Sequence, residues 1–180
     1  MRKLILYIAV SLDGRIARTS GETSWLESVP NPTETDYGYA DFLKTVDTVI
    51  MGGESYRKIL DFGIDYPYPD KENYVFTKNK NTRNNEFVQF ITENPAQFVR
   101  KIKQKEGKDI WLLGGGQINS MLAREKLIDE MIVFVMPIAI GGGIGLFGDK
   151  QLNVHWKLKS TSTYESGVVC LTYVHANEKQ

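Results

Sequence analysis

The stretch WLLGGGQINS, residues 111–120, places three consecutive glycines between an apolar run and an amphipathic run. The apolar run DIWLL (109–113) predicts a buried strand, and the residues at about 117–127 predict a helix. Glycine is unfavourable inside both kinds of element, so three together need a reason. Either the chain turns there with unusual dihedral angles, or another group approaches the bare backbone closely.

A strand that passes through glycine into a helix is a geometry that binds phosphate. The first N–H groups of a helix have no partner inside the helix, and a missing side chain lets a ligand reach them. A turn alone would need only one glycine. Three in succession therefore favour the close approach of a ligand at Gly114, Gly115 and Gly116.

The rest of the chain alternates between predicted strands and helices. Apolar and β-branched runs predict buried strands at 4–10, 47–51, 73–77, 109–113 and 130–138, and a strand nearer a sheet edge at 86–91. Helices are predicted at about 37–45, 95–105 and 117–127. Residues 154–175 predict two long strands around a turn near 165–167. We expect a mostly parallel sheet that is flanked by helices and ends in an antiparallel hairpin.

The composition is typical of a globular protein with a balanced charge. Twenty-two basic residues match twenty-two acidic ones, which provides no general attraction to nucleic acid or to an anionic membrane. Cys170 is the only cysteine, so no internal disulfide can form, and with only two histidines no metal site is expected. The apolar run at 4–10 is far shorter than the roughly 18 residues of a membrane helix. We expect a cytoplasmic protein.

A second glycine-rich segment, IGGGIGLFG (140–148), contains a literal match to the dinucleotide-binding pattern G-x-G-x-x-G at 143–148. That pattern has its physical meaning only where a strand leads into a helix at the start of a βαβ unit. No helix is predicted after residue 148. We therefore predict a loop between the 130–138 strand and the final hairpin.

Four segments occur in the order seen in the dihydrofolate reductase superfamily: YIAVSLDGRIA (7–17), DTVIMGGESYRKI (47–59), NYVFTKNK (73–80) and the long block 109–147. The chain resembles this superfamily over nearly its whole length. It is most similar to stand-alone proteins like the reductase domain of the riboflavin-biosynthesis deaminase-reductase. The resemblance implies an α/β fold with three layers (α/β/α) and about eight strands, and a single reductase domain over 1–180 that uses NADPH.

The resemblance also implies where NADPH lies. The nicotinamide is held near the first strand, at Ala9 and Ile16, and the pyrophosphate lies between two helix starts. The two helix starts comprise Gly114, Gly115, Gly116, Gln117 and Ile118 in one case, and Gly52, Gly53 and Ser55 in the other. Gly53 stands where the superfamily usually has an arginine, so one cationic contact to a cofactor phosphate is missing. The contact to the adenosine 2′-phosphate falls on Thr77 and Lys78, which are otherwise a solvated strand end.

The implied reaction moves a hydride from the nicotinamide to an electron-poor carbon, and a proton must reach the neighbouring atom. Asp36 is the closest candidate by position to the buried carboxylate that the superfamily has near the start of the first helix. As the candidate catalytic acid it would have a raised pKa, but a helix-capping role explains it equally well. Trp25 corresponds to a tryptophan of the mobile active-site loop, or it is a core anchor. Tyr37 and Tyr56 are candidates for contact with a polar substrate, or they serve packing.

Three functions remain open on the sequence alone. The first is an NADPH-dependent reductase of a small nitrogen heterocycle or a related small molecule, of the 5-amino-6-(5-phosphoribosylamino)uracil reductase type. The second is a dihydrofolate reductase proper, against which the weak match around Asp36 and the change at Gly53 both count. The third is a non-catalytic nucleotide-binding protein with the same fold. Related proteins are often dimers, which implies a homodimer.

Overall fold

The computed structural model describes residues 1–148 and 151–176. The strands are β1 (Leu4–Val10), β2 (Arg15–Ala17), β3 (Val46–Gly52), β4 (Glu72–Phe76), β5 (Val88–Ile91), β6 (Asp109–Gly114), β7 (Glu130–Val135), β8 (Ile144–Gly145), β9 (Trp156–Thr163) and β10 (Val169–His175). The helices are α1 (Tyr39–Thr45), α2 (Gly53–Asp61), α3 (Pro95–Lys103) and α4 (Gly116–Arg124), with a short 3-10 helix at Ser24–Leu26.

Eight of the strands form one sheet in the order β5-β4-β3-β6-β1-β7-β10-β9. The first six run parallel to one another. β10 is antiparallel to both of its neighbours, β7 and β9, and so forms the expected closing hairpin. Because the six parallel strands share one direction, all of them end at the same edge of the sheet, which we call the carboxyl edge. This topology confirms the predicted α/β class and the number of strands.

Helices cover both faces of the sheet and complete three layers. Alternate residues of β1 point to opposite faces, as the pleat of a strand requires. Leu4 and Leu6 pack on one face with Val99 of α3 and Leu122 of α4. Ile5 packs on the other face with side chains of α1 and α2. Burial of both faces explains why these parallel strands read as continuous apolar runs rather than as alternating ones.

The predicted elements differ from the observed ones mainly at their ends. The strand predicted at 130–138 ends at Val135, two residues before Pro137, whose backbone has no N–H to continue a ladder. The apolar periodicity did not predict α2, whose start at Gly52 and Gly53 only the family resemblance implied. α2 begins on a glycine and buries only Tyr56 and Ile59, so its apolar periodicity is too short to recognise in the sequence.

A second, two-stranded antiparallel sheet was also not predicted. β2 pairs with β8 through Arg15 and Gly145, so the segment 140–148 contains a short strand within the expected loop. Two further backbone bonds join the same stretches of chain: Leu12 N–H donates to the carbonyl of Ile138 (2.8 Å), and Leu146 N–H donates to that of Gly14 (3.1 Å). The loop after β1 and the loop after β7 therefore form one layer beyond the carboxyl edge.

Two further observations concern membranes and metals. No helix among the described residues is both long and apolar enough to cross a membrane. Nor do three or more His, Cys, Asp or Glu side chains come together as a possible metal site within residues 1–148 and 151–176. Cys170 is a half-buried free thiol in β10, and burial raises its pKa, so the thiol is protonated at neutral pH.

Candidate cofactor and substrate site

Two helices begin side by side at the carboxyl edge. β3 and β6 are neighbouring strands, and each leads directly into a helix, α2 and α4 respectively. The residues that precede these helices, Gly52 and Gly115, offer no side-chain cap to the first-turn N–H groups. α3 is different, because the Asn94 side chain accepts hydrogen bonds at its start. Two adjacent helix starts thus present N–H groups without side-chain caps, which is a favourable environment for an anion.

Residues from three separate segments meet between these helix starts. A Cβ placed on Gly52 would lie 3.8 Å from the carbonyl oxygen of Gly114, and one on Gly115 would lie 3.4 Å from the Ser55 hydroxyl oxygen and 3.8 Å from the Ile16 side chain. We call these five residues the glycine cluster. The structure therefore brings together residues that the resemblance assigned to the cofactor, and their contact with a cofactor stays a prediction.

The three consecutive glycines 114–116 have different surroundings. Gly114 has a φ of +112°, which side chains rarely adopt, and the peptide bond between Gly114 and Gly115 is cis. Gly115 lies within the glycine cluster, beside Ser55 and Ile16. A Cβ on Gly116 would overlap the carbonyl oxygen of Gly145 and lie 2.7 Å from the Gly148 amide nitrogen. The group that approaches the bare backbone of Gly116 is therefore the loop 143–148 of the protein itself.

The loop 143–148 is also held to α4 by a side chain. Asn119 is fully buried, and its amide donates to the carbonyl of Leu146 at 2.9 Å. The glycine-rich pattern that resembled a dinucleotide-binding motif thus packs against the start of α4. The other two residues predicted for this helix start differ in exposure: Gln117 is exposed to solvent, whereas Ile118 is buried in the core.

The residues expected near the nicotinamide and the adenosine lie at the same carboxyl edge. Ala9 is half-buried near the end of β1, and Ile16 belongs to β2. Thr77 directly follows β4, and its hydroxyl oxygen accepts a hydrogen bond from Asn79 N–H at 3.1 Å. Lys78 is exposed and forms no ion pair within the part of the chain that the structure describes. Its surroundings fit a solvated strand end and leave its ammonium group available.

Aromatic side chains gather between β1, β7, the start of α1 and the hairpin turn. The Tyr7 ring centroid lies 4.9 Å from that of Phe134, and the Tyr37 centroid lies 4.9 Å from that of Tyr164 in an edge-to-face contact. The Tyr37 hydroxyl donates to the Ser166 hydroxyl oxygen at 3.0 Å. We call the four rings the aromatic cluster. Three of them line a shallow, open surface groove of about 420 Å³ that extends along the sheet to Asp109 and Glu130 at the starts of β6 and β7.

Of the aromatic cluster, only Tyr37 was predicted from the sequence. Tyr7 lies in the middle of an apolar strand, where its hydroxyl is the one signal that distinguishes it from a core residue. Phe134 carries no such signal, and Tyr164 joins the cluster only through the hairpin. Burial raises the pKa of both tyrosine phenols, Tyr7 and Tyr164, so both stay protonated near neutral pH.

Trp25 is a core residue beside the aromatic cluster. Its side chain is 3% exposed and packs with Phe134, Met136 and Val168, as the core-anchor interpretation expects. The indole N–H is buried and has no hydrogen-bond partner among the described residues. An unpaired buried donor is costly, so this N–H is an exception to the usual pairing of polar groups in the core.

Tyr56 does not join the substrate side. It lies on the face of α2 that points to the sheet, with its ring centroid 5.5 Å from that of Phe90 in β5, at the opposite edge of the sheet from the hairpin. Its hydroxyl oxygen accepts a hydrogen bond from the Asn85 amide at 2.9 Å. The structure therefore gives Tyr56 a packing role, which was the alternative to substrate contact.

Asp36 caps α1. Its two carboxylate oxygens accept hydrogen bonds from the N–H groups of Ala40 and Gly38, each at 2.9 Å. These bonds lower the pKa of Asp36, and its side chain is exposed, so the expectation of a raised pKa was wrong. The carboxylate still lies close enough to the aromatic cluster to contribute to the raised pKa of Tyr7 and Tyr164, although burial is the larger cause.

The topology, the two helix starts and the closing hairpin define a protein with the dihydrofolate reductase-like fold. Residues 68–170 match the family described as the RibD C-terminal domain, which is more than half of the chain. This chain belongs to the RibD C-terminal domain family, the reductase domain that the sequence resembles.

Individual relatives support this assignment. The protein YwjB of Bacillus subtilis (strain 168), which is named as uncharacterized, is 41% identical over 97% of this chain and 99% of its own length. A solved structure described as a putative riboflavin biosynthesis protein from Shewanella sp. PV-4 is 30% identical, with a TM-score of 0.85 over 97% of this chain and 99% of that one. Dihydrofolate reductase from Enterococcus faecalis, solved with NADP(H), shares the fold at 17% identity and a TM-score of 0.69 over 97% of both chains.

Proposed function

We propose that this protein is an NADPH-dependent reductase that transfers a hydride to a small substrate that is, or carries, a nitrogen heterocycle. The observation that carries the proposal is the pair of adjacent helix starts at the glycine cluster, in a member of a reductase-domain family. Bound NADPH supplies the hydride. The protein supplies the binding groups, the orientation of the substrate and the exclusion of water.

The glycine cluster has the properties that a pyrophosphate needs. The N–H groups that begin α2 and α4 carry a partial positive charge, and Gly52 and Gly115 leave the backbone accessible. The Ser55 hydroxyl adds a donor between the two helix starts. Ala9 and Ile16 would then lie beside the nicotinamide. The structure of the Enterococcus faecalis enzyme with NADP(H) shows that the fold accommodates this dinucleotide.

The aromatic cluster fits a flat heterocyclic substrate. Tyr7, Tyr37 and Phe134 line the groove, and the half-buried rings of Tyr7 and Tyr37 would contact a heterocycle there, whereas Phe134 is buried beneath them. The Trp25 indole N–H is a donor without a partner beside them. Asp36 accepts hydrogen bonds from N–H groups at the start of α1, and these bonds lower its pKa. The carboxylate is therefore ionised at neutral pH and carries no proton to donate. We therefore assign the proton of the reaction to water.

The first substrate to test is 5-amino-6-(5-phosphoribosylamino)uracil. The riboflavin-pathway description of the Shewanella protein and the family assignment support this choice. Dihydrofolate is the second substrate to test. It is disfavoured because Asp36 is an exposed carboxylate with a lowered pKa rather than a buried acid.

The experiment has a binding arm and a turnover arm. NADPH is titrated into the purified protein by fluorescence, and loss of NADPH absorbance is then followed with each candidate substrate. We expect saturable binding and oxidation of NADPH that depends on the pyrimidine. Binding without oxidation in the presence of any candidate would indicate the non-catalytic nucleotide-binding protein. Failure to bind either NADPH or NADH would contradict the proposal.

A further inference from the structure

The missing side chain at Gly53 leaves room that another residue fills. A Cβ placed on Gly53 would lie 3.9 Å from Nη1 of Arg57 and 3.6 Å from the carbonyl oxygen of Phe76. The guanidinium group of Arg57 therefore lies over the first residue of α2. Phe76 is the last residue of β4, so this position is also beside the point where β4 leaves the sheet.

The geometry of a helix explains how Arg57 reaches this position. Residues four apart lie on the same face of a helix, and helical side chains lean toward the N-terminus. Arg57 is four residues after Gly53, and the glycine has no side chain to block its path. A long side chain one turn into α2 thus brings a positive charge to the helix start.

Among the described residues, the ion-pair partner of Arg57 is itself an exposed residue. Its guanidinium pairs with the Glu54 carboxylate, and the two side chains are 62% and 85% exposed. Exposed ion pairs contribute little to stability and are screened by salt, so a phosphate can replace Glu54 at little cost. Lys78, two residues beyond Phe76, adds an exposed ammonium group without an ion pair among the described residues.

We infer that Arg57 supplies the cation that Gly53 lacks and, with Lys78, binds the 2′-phosphate of NADPH. A guanidinium binds phosphate through two parallel hydrogen bonds, which makes Arg57 a residue that determines the preference for NADPH over NADH. This inference rests on the proposed function, because it requires a bound dinucleotide. It assigns no role in the hydride transfer itself to Arg57.

The test compares dissociation constants for NADPH and NADH, measured by fluorescence titration. Arg57→Gln should weaken NADPH binding about tenfold, as expected for loss of a charged hydrogen bond, and should leave NADH binding within about twofold. Arg57→Lys should recover part of the preference. Arg100→Gln is the matched control, because Arg100 of α3 forms a similarly exposed pair with Glu125. It should change neither constant.

A second variant should strengthen the preference for NADPH instead of weakening it. Glu54→Gln frees Arg57 and removes a negative charge from the helix start, so NADPH should bind more tightly while NADH changes less. If the pair served only to stabilise α2, Glu54→Gln and Arg57→Gln would both lower the melting temperature and neither would change the ratio of the two constants. Added salt should reduce the preference of the wild-type protein.

The outcomes separate the inference from the function on which it rests. If Arg57→Gln leaves NADPH binding unchanged, or weakens both dinucleotides equally, the inference is wrong and the reductase proposal stands. If the wild-type protein binds neither dinucleotide, both are wrong. A selective loss for NADPH, together with the gain in Glu54→Gln, supports both.

Discussion

Gly115 and Gly116 are adjacent in the chain and face different neighbours. A side chain on Gly115 would enter the glycine cluster at an ordinary contact distance from Ser55, 3.4 Å. A side chain on Gly116 would meet the backbone of Gly145 and Gly148, which cannot move without shifting the whole loop. We therefore expect a ligand to approach Gly115, whereas Gly116 is needed for close packing against the loop 143–148.

Alanine substitutions should separate these two roles. Gly116→Ala should destabilise the protein by about 1–3 kcal/mol, since overpacking forces the backbone to shift. Gly115→Ala should leave stability nearly unchanged and weaken NADPH binding. Urea unfolding and NADPH titration of both variants measure the difference. Gly142→Ala is the control, because a Cβ there meets only Thr19, at 4.0 Å. Equal stability of the Gly115 and Gly116 variants would contradict the assignment.

Sequence motifs identified the backbone part of the candidate site and missed most of its side chains. Glycines, Ser55 and Ile16 carry local patterns, because a helix start needs particular residue types at fixed offsets. Arg57 carries no such pattern. Its position depends on the empty space over Gly53, which only the helix geometry reveals. Tyr7 and Phe134 meet because β1 and β7 are neighbours, which the sequence does not specify residue by residue.

At the level of elements, α1 depends on a cap outside the helix. Gly38 precedes the helix with a φ of +84°, and Asp36 reaches past it to accept two N–H groups. Because hydrogen bonds to the charged form lower the folded-state pKa, the carboxylate stabilises the fold above its unfolded-state pKa. That contribution is lost as the pH falls through the lowered pKa of the folded state.

Asp36→Asn tests the cap directly. Asparagine has one acceptor oxygen where aspartate has two, so the variant should melt at a lower temperature at neutral pH. The difference from wild type should shrink in acid, as the wild-type carboxylate becomes protonated. Turnover should not change. Asp61→Asn is the control, since Asp61 only pairs with Lys58 at 3.7 Å on the surface. A variant of unchanged stability and reduced turnover would restore Asp36 as the proton donor.

Elements with long apolar runs were predictable, and elements defined by few residues were not. β1 and β6 are buried on both faces, so their sequences are almost entirely apolar, with Asp109 at the start of β6 as the charged exception. β2 and β8 have three and two residues and exist because two loops meet, a contact between positions far apart in the chain. α2 lacks a capping side chain, and the pattern usual at a helix start is therefore missing.

At the scale of the whole molecule, the closing hairpin presents an exposed surface. Seven of the eight residues of β9 are exposed, and those of β10 are half-buried. Paired and alternate residues share a face, which groups Trp156, Leu158, Leu171 and Tyr173 beyond α4. An apolar face of this kind is typical of an interaction surface. We propose that a second copy of the chain covers it, which gives the homodimer implied by the family.

Leu158→Lys tests this surface. In analytical ultracentrifugation at micromolar concentrations, the molar mass of the wild-type protein should be twice that of one chain. Leu158 is 48% exposed, so a lysine should preserve the fold while placing a charge in the interface and shifting the mass toward that of the monomer. Leu60→Lys is the control, because Leu60 is 53% exposed at the end of α2. A monomeric wild-type protein would exclude the proposed dimer.

The contact between Gly116 and the loop 143–148 also has a kinetic consequence. The loop is bonded at Leu146 to Asn119 of α4 and to Gly14 after β1, so neither stretch can separate from the helix start without breaking bonds to the other. Segments joined in this way open as one cooperative unit rather than residue by residue. We therefore expect the amide hydrogens of these stretches to exchange with solvent at one common rate, and substitution of Asn119 to raise that rate for all of them together.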